Sequence, residues 1–573
     1  MSNINQLYDL WCEKAKNDAD LISELESIKG NESEINDRFY RSLEFGTGGL
    51  RGVIGAGTNR MNIFTVNQAT QGLADYLKEN FENPSVAIAY DSRNKSDVFA
   101  KSAACVLAAN GIKVYIYSEL VPTPMLSFAV RRLGCSSGIV ITASHNPAKY
   151  NGFKCYDPRG FQMTDEGAKE TYEYIQKVDI FDGVKVVDFD YALENKKIEY
   201  IEDWLIKEFF DCVEEQRVDK EACVDSDLKI IYTPLNGTGN KPVRRILKRL
   251  GLTNVRIVPE QENPDGNFPT CPYPNPEIRQ AFECALKMAE EESADLLLAT
   301  DPDCDRVGIA VKTGDDYRLM TGNEVGAMLA EYILSTKKKE GTLPKNPMVV
   351  KTIVTSELIR SVADKYNAET ADLLTGFKYI GELITQLEEK GEAERYVLGL
   401  EESYGYLAGT YARDKDGVVA AMLITEMAAH YKKIGKTLAD VMDDIYAEHG
   451  IYLNSLLNFA FEGAEGMATM SKMMENLRQN PPSSIAGLDV VKISDYKTSV
   501  STEKPSGIMT HIDLPKSNVL SYGLTDACSA IVRPSGTEPK IKIYITAHAD
   551  SFDDANRITE EITEDMKKLL DIK

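Results

Sequence analysis

Short apolar runs alternate with amphipathic segments along most of this chain. Runs at 85–90, 138–143 and 348–353 have the length and composition of buried strands, and the segments between such runs have helical spacing. This order is typical of βαβ units, in which a crossover helix returns the chain so that successive strands pair in parallel. The pattern recurs in three α/β segments of about 120 to 200 residues, which is the usual size of a domain.

The last part of the chain has a different pattern, with strands that follow one another at short intervals. The predicted elements are a strand at 452–461, a helix at 467–477, and strands around 490–493, 510–512, 530–532 and 540–546. Strands without intervening helices predict an antiparallel sheet, here with two helices packed on it.

At 573 residues the chain is too long for one hydrophobic core, because cores stop growing at about 250 to 300 residues. We predict an α/β protein with three tandem α/β domains, whose sheets are mixed and largely parallel, and a smaller C-terminal α+β domain. The predicted domains are residues 1–205, 206–322, 323–452 and 453–573.

The net charge of −24 argues against nucleic acid or an anionic membrane as a partner, because both require a basic surface. No apolar run reaches the length of a membrane span, and the N-terminus has no apolar core of a signal peptide. Ten cysteines without a CxxC pair predict free thiols in a reducing compartment. We therefore expect a cytoplasmic protein without a membrane segment.

The loop Asp301-Pro-Asp-Cys-Asp-Arg306 places three carboxylates at alternate positions directly after a predicted strand. Carboxylates this close repel one another unless a hard cation such as magnesium neutralises them. A calcium-binding EF-hand is excluded, because its sixth and twelfth positions would be Arg306 and Lys312 instead of Gly and Glu. The remaining alternative is a solvated acidic turn.

A second polar loop, Thr142-Ala-Ser-His-Asn-Pro147, also follows an apolar strand. The carboxyl end of a strand is where α/β proteins place reacting groups, so Ser144 is a candidate nucleophile. Its neighbours lack the Gly-x-Ser-x-Gly frame of hydrolases. A helix cap or a serine turn without chemistry stays open as the alternative.

Two further loops have the composition of ligand-binding loops. The carboxylates and hydroxyl of Glu401-Glu-Ser-Tyr-Gly405 suit a polyol, although a charged surface turn is an equal alternative. The loop Arg533-Pro-Ser-Gly-Thr-Glu-Pro-Lys540 combines an arginine, hydroxyls and an accessible glycine amide, which favours phosphate binding over a turn with an exposed arginine. It matches neither a Walker loop nor a dinucleotide fingerprint.

Taken in this order, the four loops resemble those of the α-D-phosphohexomutase family of phosphoglucomutases and phosphomannomutases. The resemblance runs from about Phe45 to the C-terminus and includes Tyr150-Asn-Gly-Phe-Lys154. The predicted glycine-rich loop Phe45-Gly-Thr-Gly-Gly-Leu-Arg-Gly52 and the motif Thr375-Gly-Phe-Lys-Tyr-Ile-Gly381 are most similar to the bacterial phosphoglucomutase branch, which also contains phosphopentomutases. The fold that this resemblance implies has four domains around a central cleft, each contributing one loop.

The resemblance also implies a role for each loop. Ser144 would carry a phosphoryl group, and Asp301, Asp303 and Asp305 would hold Mg²⁺ together with an oxygen of phosphorylated Ser144. The other catalytic residues implied are Arg51, His145, Lys154 and Arg306. The substrate-binding residues implied are Lys378, Glu401, Ser403, Arg533, Ser535, Gly536 and Thr537.

The implied activity moves a phosphoryl group between O1 and O6 of glucose through glucose 1,6-bisphosphate, which would also act as activator. Mannose and pentose phosphates stay open as substrates, because Glu401-Glu-Ser403 does not report on C2 of the sugar. A serine-nucleophile phosphatase usually needs two metals, whereas this chain has one compact acidic loop. A non-catalytic phosphosugar-binding protein would not need Ser144 and the aspartates together. The expected partner is a small phosphosugar, and the sequence does not specify an oligomeric state.

Overall fold

The computed structural model describes residues 2–16, 18–46, 48–461, 463–535 and 540–572. These residues form four β-sheets that follow one another along the chain. The first three sheets are mixed and covered by helices, and the fourth is antiparallel. The predicted fold class, three tandem α/β domains and a C-terminal α+β domain, is therefore confirmed.

The first domain contains a six-stranded sheet. Its elements are α1 (Ser2–Lys14), α2 (Ala19–Ser27), α3 (Glu32–Phe39), β1 (Gly49–Val53), α4 (Ile63–Asn80), β2 (Ser85–Tyr90), α5 (Ser96–Ala109), β3 (Lys113–Ile116), α6 (Thr123–Arg132), β4 (Ser137–Ile141), β5 (Tyr150–Tyr156), α7 (Asp165–Ile175), α8 (Phe189–Glu194) and β6 (Ile198–Tyr200). The strand order is β1-β5-β4-β2-β3-β6. In this order β4, β2, β3 and β6 run parallel to one another, while β5 and β1 are added antiparallel at one edge.

The second domain has a five-stranded sheet in which parallel and antiparallel pairs are equally frequent. Its elements are α9 (Asp203–Glu214), β7 (Ile230–Thr233), α10 (Asn240–Arg249), β8 (Val255–Ile257), α11 (Pro259–Glu262), α12 (Glu283–Glu292), β9 (Leu296–Thr300), β10 (Val307–Thr313) and β11 (Asp316–Met320). The order is β11-β10-β9-β7-β8. The chain turns back antiparallel from β9 to β10, so the acidic loop is the short connection between these strands.

The third domain repeats this plan with four strands. Its elements are α13 (Gly322–Glu340), β12 (Met348–Thr352), α14 (Leu358–Lys365), β13 (Glu369–Leu373), α15 (Phe377–Glu389), β14 (Tyr396–Glu401), β15 (Gly405–Leu407), α16 (Gly417–Lys433) and α17 (Leu438–His449). The order is β13-β12-β14-β15, with only β15 antiparallel. The segment from Glu401 to Gly405 is therefore also a tight turn at the edge of a sheet.

The fourth domain is built on an antiparallel sheet. Its elements are β16 (Ile451–Ala460), α18 (Gly463–Gln479), β17 (Ser484–Ile485), β18 (Leu488–Asp495), β19 (Val500–Glu503), β20 (Met509–His511), β21 (Leu520–Leu524), β22 (Ser529–Pro534), β23 (Lys540–Ala549) and α19 (Phe552–Leu569). The main order is β16-β23-β22-β21-β18-β19-β20, and β17 pairs with β18. Side chains of α18 and α19 join the core of this sheet, as predicted.

Apolar packing ties the first three domains into one body. A single hydrophobic cluster runs through them, whereas the fourth domain has its own core. A smaller cluster that includes Ile353, Leu374, Ile531 and Tyr544 joins the third and fourth domains. The exact domain boundaries stay a prediction, and β16 begins at Ile451, slightly before the predicted start of the fourth domain.

One predicted loop is partly a strand. The glycine-rich stretch 45–52 becomes β1 from Gly49 onward and pairs antiparallel with β5. A Cβ atom at Gly49 would lie 2.2 Å from the carbonyl oxygen of Phe153, so only glycine allows this close pairing. In the sequence these glycines suggest a loop, but in the structure Gly49 allows the close pairing of β1 with β5.

All ten cysteines are free thiols. In the part of the chain that the structure describes, no helix combines the length and apolar character needed to cross a bilayer.

Candidate active site

Ser144 lies just beyond the carboxyl end of β4, buried and with a left-handed backbone (φ +52°). Its Oγ donates a hydrogen bond to Oδ2 of Asp301 at 2.9 Å and lies 3.1 Å from Nδ1 of His145. The serine loop of the first domain and the acidic loop of the second, distant in sequence, are therefore in direct contact.

The three aspartates of the acidic loop converge on one point. Asp301, Asp303 and Asp305 are buried, and one oxygen from each lies within 4.8 Å of the others. Burial, together with the neighbouring aspartates, raises the pKa of Asp301 well above its ordinary value. One oxygen each of Asp303 and Asp305 is buried without a hydrogen-bond partner among the described residues. Buried carboxylate oxygens without a partner, on side chains that converge in this way, fit a hard divalent cation.

Basic side chains surround the aspartates. Burial would raise the pKa of Asp303, but Lys154, whose Nζ lies 3.4 Å from Oδ2 of Asp303, holds it below the ordinary value. Arg306 pairs with Glu277 at 2.5 Å and lies 3.9 Å from Asp305. Opposite charges of this kind keep part of a buried acidic cluster ionised.

His145 is the second residue in contact with Ser144. Burial, followed by the charges of Arg306 and Arg51, lowers the pKa of His145 to about 2. Its ring packs edge to face on Tyr273, with the ring centroids 5.7 Å apart. His145 is therefore a neutral imidazole at physiological pH and can exchange a hydrogen bond with Ser144 but not supply a positive charge.

The turn between β14 and β15 forms the third side of the site. Glu401 is buried, and its Oε1 accepts a hydrogen bond from the amide of Gly376 at 2.9 Å. Burial raises the pKa of this carboxyl, while Lys415 and Arg306 act in the opposite direction. The turn lies so close to α13 that a Cβ at Gly322 would be 2.1 Å from the carbonyl oxygen of Glu402.

The loop of the fourth domain follows β22. Arg533 lies on β22 directly opposite Lys542 on β23, and the amide of Ser535 donates to the carbonyl of Lys540 at 2.7 Å. Burial and then the charge of Arg533 lower the pKa of Lys542, while the carboxylate of Glu402 acts in the opposite direction, so this sheet lies beside the third-domain turn. Gly536 and Thr537 lie outside the described residues.

Comparison with known proteins assigns the chain to a family. Models of phosphoglucomutase/phosphomannomutase alpha/beta/alpha domains I, II and III match residues 42–180, 207–314 and 321–449. A phosphoglucomutase of Staphylococcus saprophyticus is 38% identical over 528 residues, which cover 91% of this chain and 94% of that protein. The chain belongs to the phosphoglucomutase/phosphomannomutase family. A phosphoglucomutase of Staphylococcus aureus strain MRSA252 is 37% identical over 549 residues, 95% of this chain and 96% of the relative.

Solved structures of other family members share the fold. The exocytosis-sensitive phosphoprotein parafusin (phosphoglucomutase) from Paramecium, in its open form, has a TM-score of 0.68 at 17% identity and covers 93% of this chain and 96% of its own. A phosphoglucomutase/phosphomannomutase family protein from Burkholderia thailandensis has a TM-score of 0.64 at 19% identity, with 92% and 97% covered. At this identity the likeness concerns the fold alone.

Two further residues of the predicted site are Lys378 and Arg51. Lys378 lies in the first turn of α15, where its Nζ pairs with Asp165 of the first domain at 2.6 Å. Arg51 lies on β1 and its side chain is exposed. The charge of Arg51 acts on His145, so it belongs to the neighbourhood of Ser144. Their predicted roles stay predictions.

Lys415 is a basic residue of the site that the sequence motifs do not reveal. Its Nζ lies 3.1 Å from Oδ2 of Asp305 and 2.9 Å from Oδ1 of Asp414. Burial would lower its pKa, but Asp305, Asp414 and Glu401 raise it well above the ordinary value, so Lys415 stays charged. The available signal was the charged run at 413–416 directly before the apolar helix α16.

Proposed function

We propose that this chain is a phosphoglucomutase, which interconverts α-D-glucose 1-phosphate and glucose 6-phosphate through a phosphoserine at Ser144. The observation that carries the proposal is the 2.9 Å contact between Oγ of Ser144 and Asp301 within a buried trio of aspartates. A nucleophile needs this arrangement if its phosphoryl group is to be neutralised during transfer. The staphylococcal relatives with this name support the choice of sugar.

The aspartates supply the ligands for the metal. Asp301, Asp303 and Asp305 would hold Mg²⁺, and the orphaned oxygens of Asp303 and Asp305 are consistent with this role. When bound, Mg²⁺ acts as a Lewis acid that stabilises negative charge on the transferring phosphoryl group. Arg306 adds positive charge on the same side, and Lys415 holds Asp305 in place.

In the first half-reaction the phosphoryl group passes from Oγ of Ser144 to O6 of glucose 1-phosphate. The bond from phosphorus to Oγ breaks, the bond to O6 forms, and the proton of the sugar hydroxyl ends on Ser144. Lys154, beside the aspartates, assists this proton transfer, and neutral His145 orients the serine hydroxyl. Arg51 contributes positive charge near the same atoms.

The second half-reaction needs the sugar in the opposite orientation. Glucose 1,6-bisphosphate turns, and Ser144 takes the phosphoryl group from O1, which releases glucose 6-phosphate and restores the phosphoserine. Bisphosphate added from outside would phosphorylate an empty Ser144 and so act as activator. Two separate binding loops serve both orientations. Glu401 and Ser403, with Lys378 beside them, would bind O3 and O4 of the sugar. The phosphate of the substrate would be bound by Arg533, Ser535, Gly536 and Thr537.

The partner of the site is thus a small phosphosugar, and the free cysteines agree with a cytoplasmic location, which stays a prediction. The test is the initial rate on α-glucose 1-phosphate with Mg²⁺ and a trace of glucose 1,6-bisphosphate. Mannose 1-phosphate and ribose 1-phosphate are measured beside it. Ser144→Ala is the inactive variant, and Ser136→Ala, before β4 and away from the loop, is its matched control.

We expect glucose 6-phosphate to form rapidly with the wild type and Ser136→Ala, and not with Ser144→Ala. A clear preference for mannose or ribose phosphate would keep the reaction and change the substrate. The absence of turnover with all three sugar phosphates, in protein shown by mass spectrometry to be phosphorylated, would refute the mutase proposal.

A further inference from the structure

Arg93 lies behind the serine loop and has no role in the reaction described above. It follows β2 by three residues, and its side chain is completely buried. The guanidinium donates to four backbone carbonyl groups, three in the loop after β4 and one at the first residue of β5. Nη1 reaches the oxygens of Pro147 and Tyr150, both at 3.1 Å, and Nη2 reaches those of Ser144 and Asn146.

Both backbone groups of Ser144 are held by this arrangement. Its carbonyl accepts from Arg93, and its amide donates to Oγ1 of Thr142 at 2.8 Å. The left-handed φ of Ser144 is unfavourable for a residue with a Cβ, so the surroundings must enforce it. Held at both ends, the backbone of Ser144 keeps the position from which its Oγ reaches Asp301.

Asp91 lies beside Arg93 in this network. Its Oδ1 accepts from the amide of Arg93 at 2.9 Å and from Oγ of Ser96 at 2.7 Å, and its Oδ2 lies 3.4 Å from Nε of Arg93. Burial raises the pKa of Asp91, while Arg93 and the nearby hydroxyls of Thr142 and Ser96 act in the opposite direction. The carboxylate therefore holds the backbone of Arg93 and lies beside both its guanidinium and Thr142.

The second domain shields this network. The ring of Phe268 lies over the guanidinium, with its centroid 5.1 Å from the central carbon of Arg93, and Phe268 is 1% exposed. A Cβ at Gly266 would lie 2.4 Å from the amide nitrogen of Asn94, so the two loops are in close contact. Without competing water, the hydrogen bonds of Arg93 are stronger than they would be at the surface.

The chemistry of four converging carbonyls explains why an arginine is needed. Carbonyl oxygens that point to one place repel one another unless donors separate them. A guanidinium has a planar, rigid set of donors on separate nitrogens, whereas the three donors of lysine share a single atom. A lysine at position 93 keeps the charge but cannot reach all four oxygens.

We propose that Arg93 is a positioning residue for phosphoryl transfer: it fixes the direction of Oγ of Ser144 through the carbonyl groups of the loop, without touching the substrate. Asp91 supports it by accepting from the amide of Arg93, and Thr142 by accepting from the amide of Ser144. The inference rests on the proposed function, because it concerns the serine that carries the phosphoryl group.

The decisive variant is Arg93→Lys, with Arg131→Lys as matched control. Arg131 lies on α6 and likewise donates to two backbone carbonyls, at 2.7 and 3.0 Å, and pairs with a carboxylate, but these partners belong to the third domain. Each protein is phosphorylated with glucose 1,6-bisphosphate and mixed rapidly with glucose 1-phosphate. Loss of the phosphoryl group from Ser144 is followed by mass spectrometry. The affinity for glucose 6-phosphate is measured by calorimetry in a Ser144→Ala background.

We expect Arg93→Lys to slow phosphoryl transfer by about 100-fold, the usual effect of a misplacement of about 1 Å. Sugar-phosphate affinity should stay unchanged, and Arg131→Lys should change neither quantity. An unchanged transfer rate in Arg93→Lys would overturn the proposal. So would an equal loss of transfer and affinity, because that would indicate a merely structural role.

If Arg93→Lys does not fold, Thr142→Val provides the second test. It keeps the shape of the side chain and removes only the hydroxyl that accepts from the amide of Ser144. Slower transfer with unchanged affinity supports the proposal, and a wild-type rate contradicts it. Wild-type protein that carries no phosphate on Ser144 and transfers none would instead refute the proposed function itself.

Discussion

The unusual property of the acidic loop is that its carboxylates are buried together. Asp301, Asp303 and Asp305 lie in the interior, and Lys154 and Lys415 each contact one of them. Burying like charges is costly unless a cation compensates for them. The trio should therefore bind a divalent cation even without substrate, and binding should stabilise the fold.

The first prediction concerns this site. Mg²⁺ at 100 times its dissociation constant should stabilise the wild type by about 2.7 kcal/mol, seen as a higher melting temperature. Asp303→Asn should abolish this rise, because it removes the charge of a central ligand. Asp316→Asn, an exposed aspartate on β11, should retain it. An equal rise in Asp303→Asn and wild type would contradict the assignment.

Residues of the site could be predicted from sequence where the chemistry is local. The spacing from Asp301 to Asp305 and the position of Ser144 after a strand favoured a metal site and a nucleophile, with a solvated turn and a helix cap as the alternatives. Lys415 and Arg93 were not recognised, because an isolated basic residue in a polar run looks like surface until the fold brings it to its partners. Such residues require tertiary contacts, which spacing does not encode.

At the scale of elements, helix α16 holds the second and third domains together through one buried glutamate. Glu426 accepts hydrogen bonds from Nε of Arg217 at 3.0 Å, from the amides of Val218 and Asp219 at 2.8 and 3.0 Å, and from the hydroxyl of Tyr332 at 3.0 Å. All four partners are donors. Only an ionised carboxylate accepts from all of them at once.

Glu426→Gln should therefore destabilise the protein, although it hardly changes the shape of the side chain. Its amide nitrogen would face donors and leave Arg217, whose side chain is 12% exposed, without a counter-charge; at a fully buried site such a defect costs about 3–5 kcal/mol. The readout is the midpoint of urea unfolding. Glu290→Gln, on the exposed side of α12, is the control. Equal midpoints for the two variants would show that the cluster does not stabilise the fold.

Elements with a clear hydrophobic pattern were predicted well. The helix predicted at 467–477 lies within α18, Gly463–Gln479, and the strand predicted at 85–90 is β2, Ser85–Tyr90. The strand β1 was wrongly predicted to be part of a loop, because its glycines are typical of loops and its partner strand is distant in sequence. Close backbone packing is a property of pairs of strands and is not visible in either one alone.

At the scale of the molecule, the turn proposed to bind the sugar (401–405) and the loop proposed to bind its phosphate (533–540) belong to different domains. The first three domains share one core, but the fourth has a core of its own and meets the third through a small apolar cluster and the ring contact of Tyr446 with Phe552. A ligand that contacts both Glu401 and Arg533 should draw the fourth domain inward. The number of domains was predictable from sequence, but their relative placement was not, because it depends on these contacts.

A prediction follows for the shape of the protein in solution. Saturating glucose 6-phosphate should reduce the radius of gyration of the wild type, measured by small-angle X-ray scattering, because it bridges the cleft. Arg533→Ala should show no reduction at a concentration that saturates the wild type. Arg557→Ala, on the exposed helix α19, should behave as the wild type. Equal compaction in Arg533→Ala would place the phosphate contact elsewhere.

The ring of Phe268 over Arg93 has a consequence for biosynthesis. A nascent chain that has released only its first domain already carries Ser144 but lacks the aspartates and the aromatic shield, which are translated later. We therefore expect a stalled chain ending at residue 205 to take no label from labelled glucose 1,6-bisphosphate, and the full-length chain to take it readily. A labelled short chain would contradict this. An enzyme assembled in this order cannot react with sugar bisphosphate until the second domain has been synthesised.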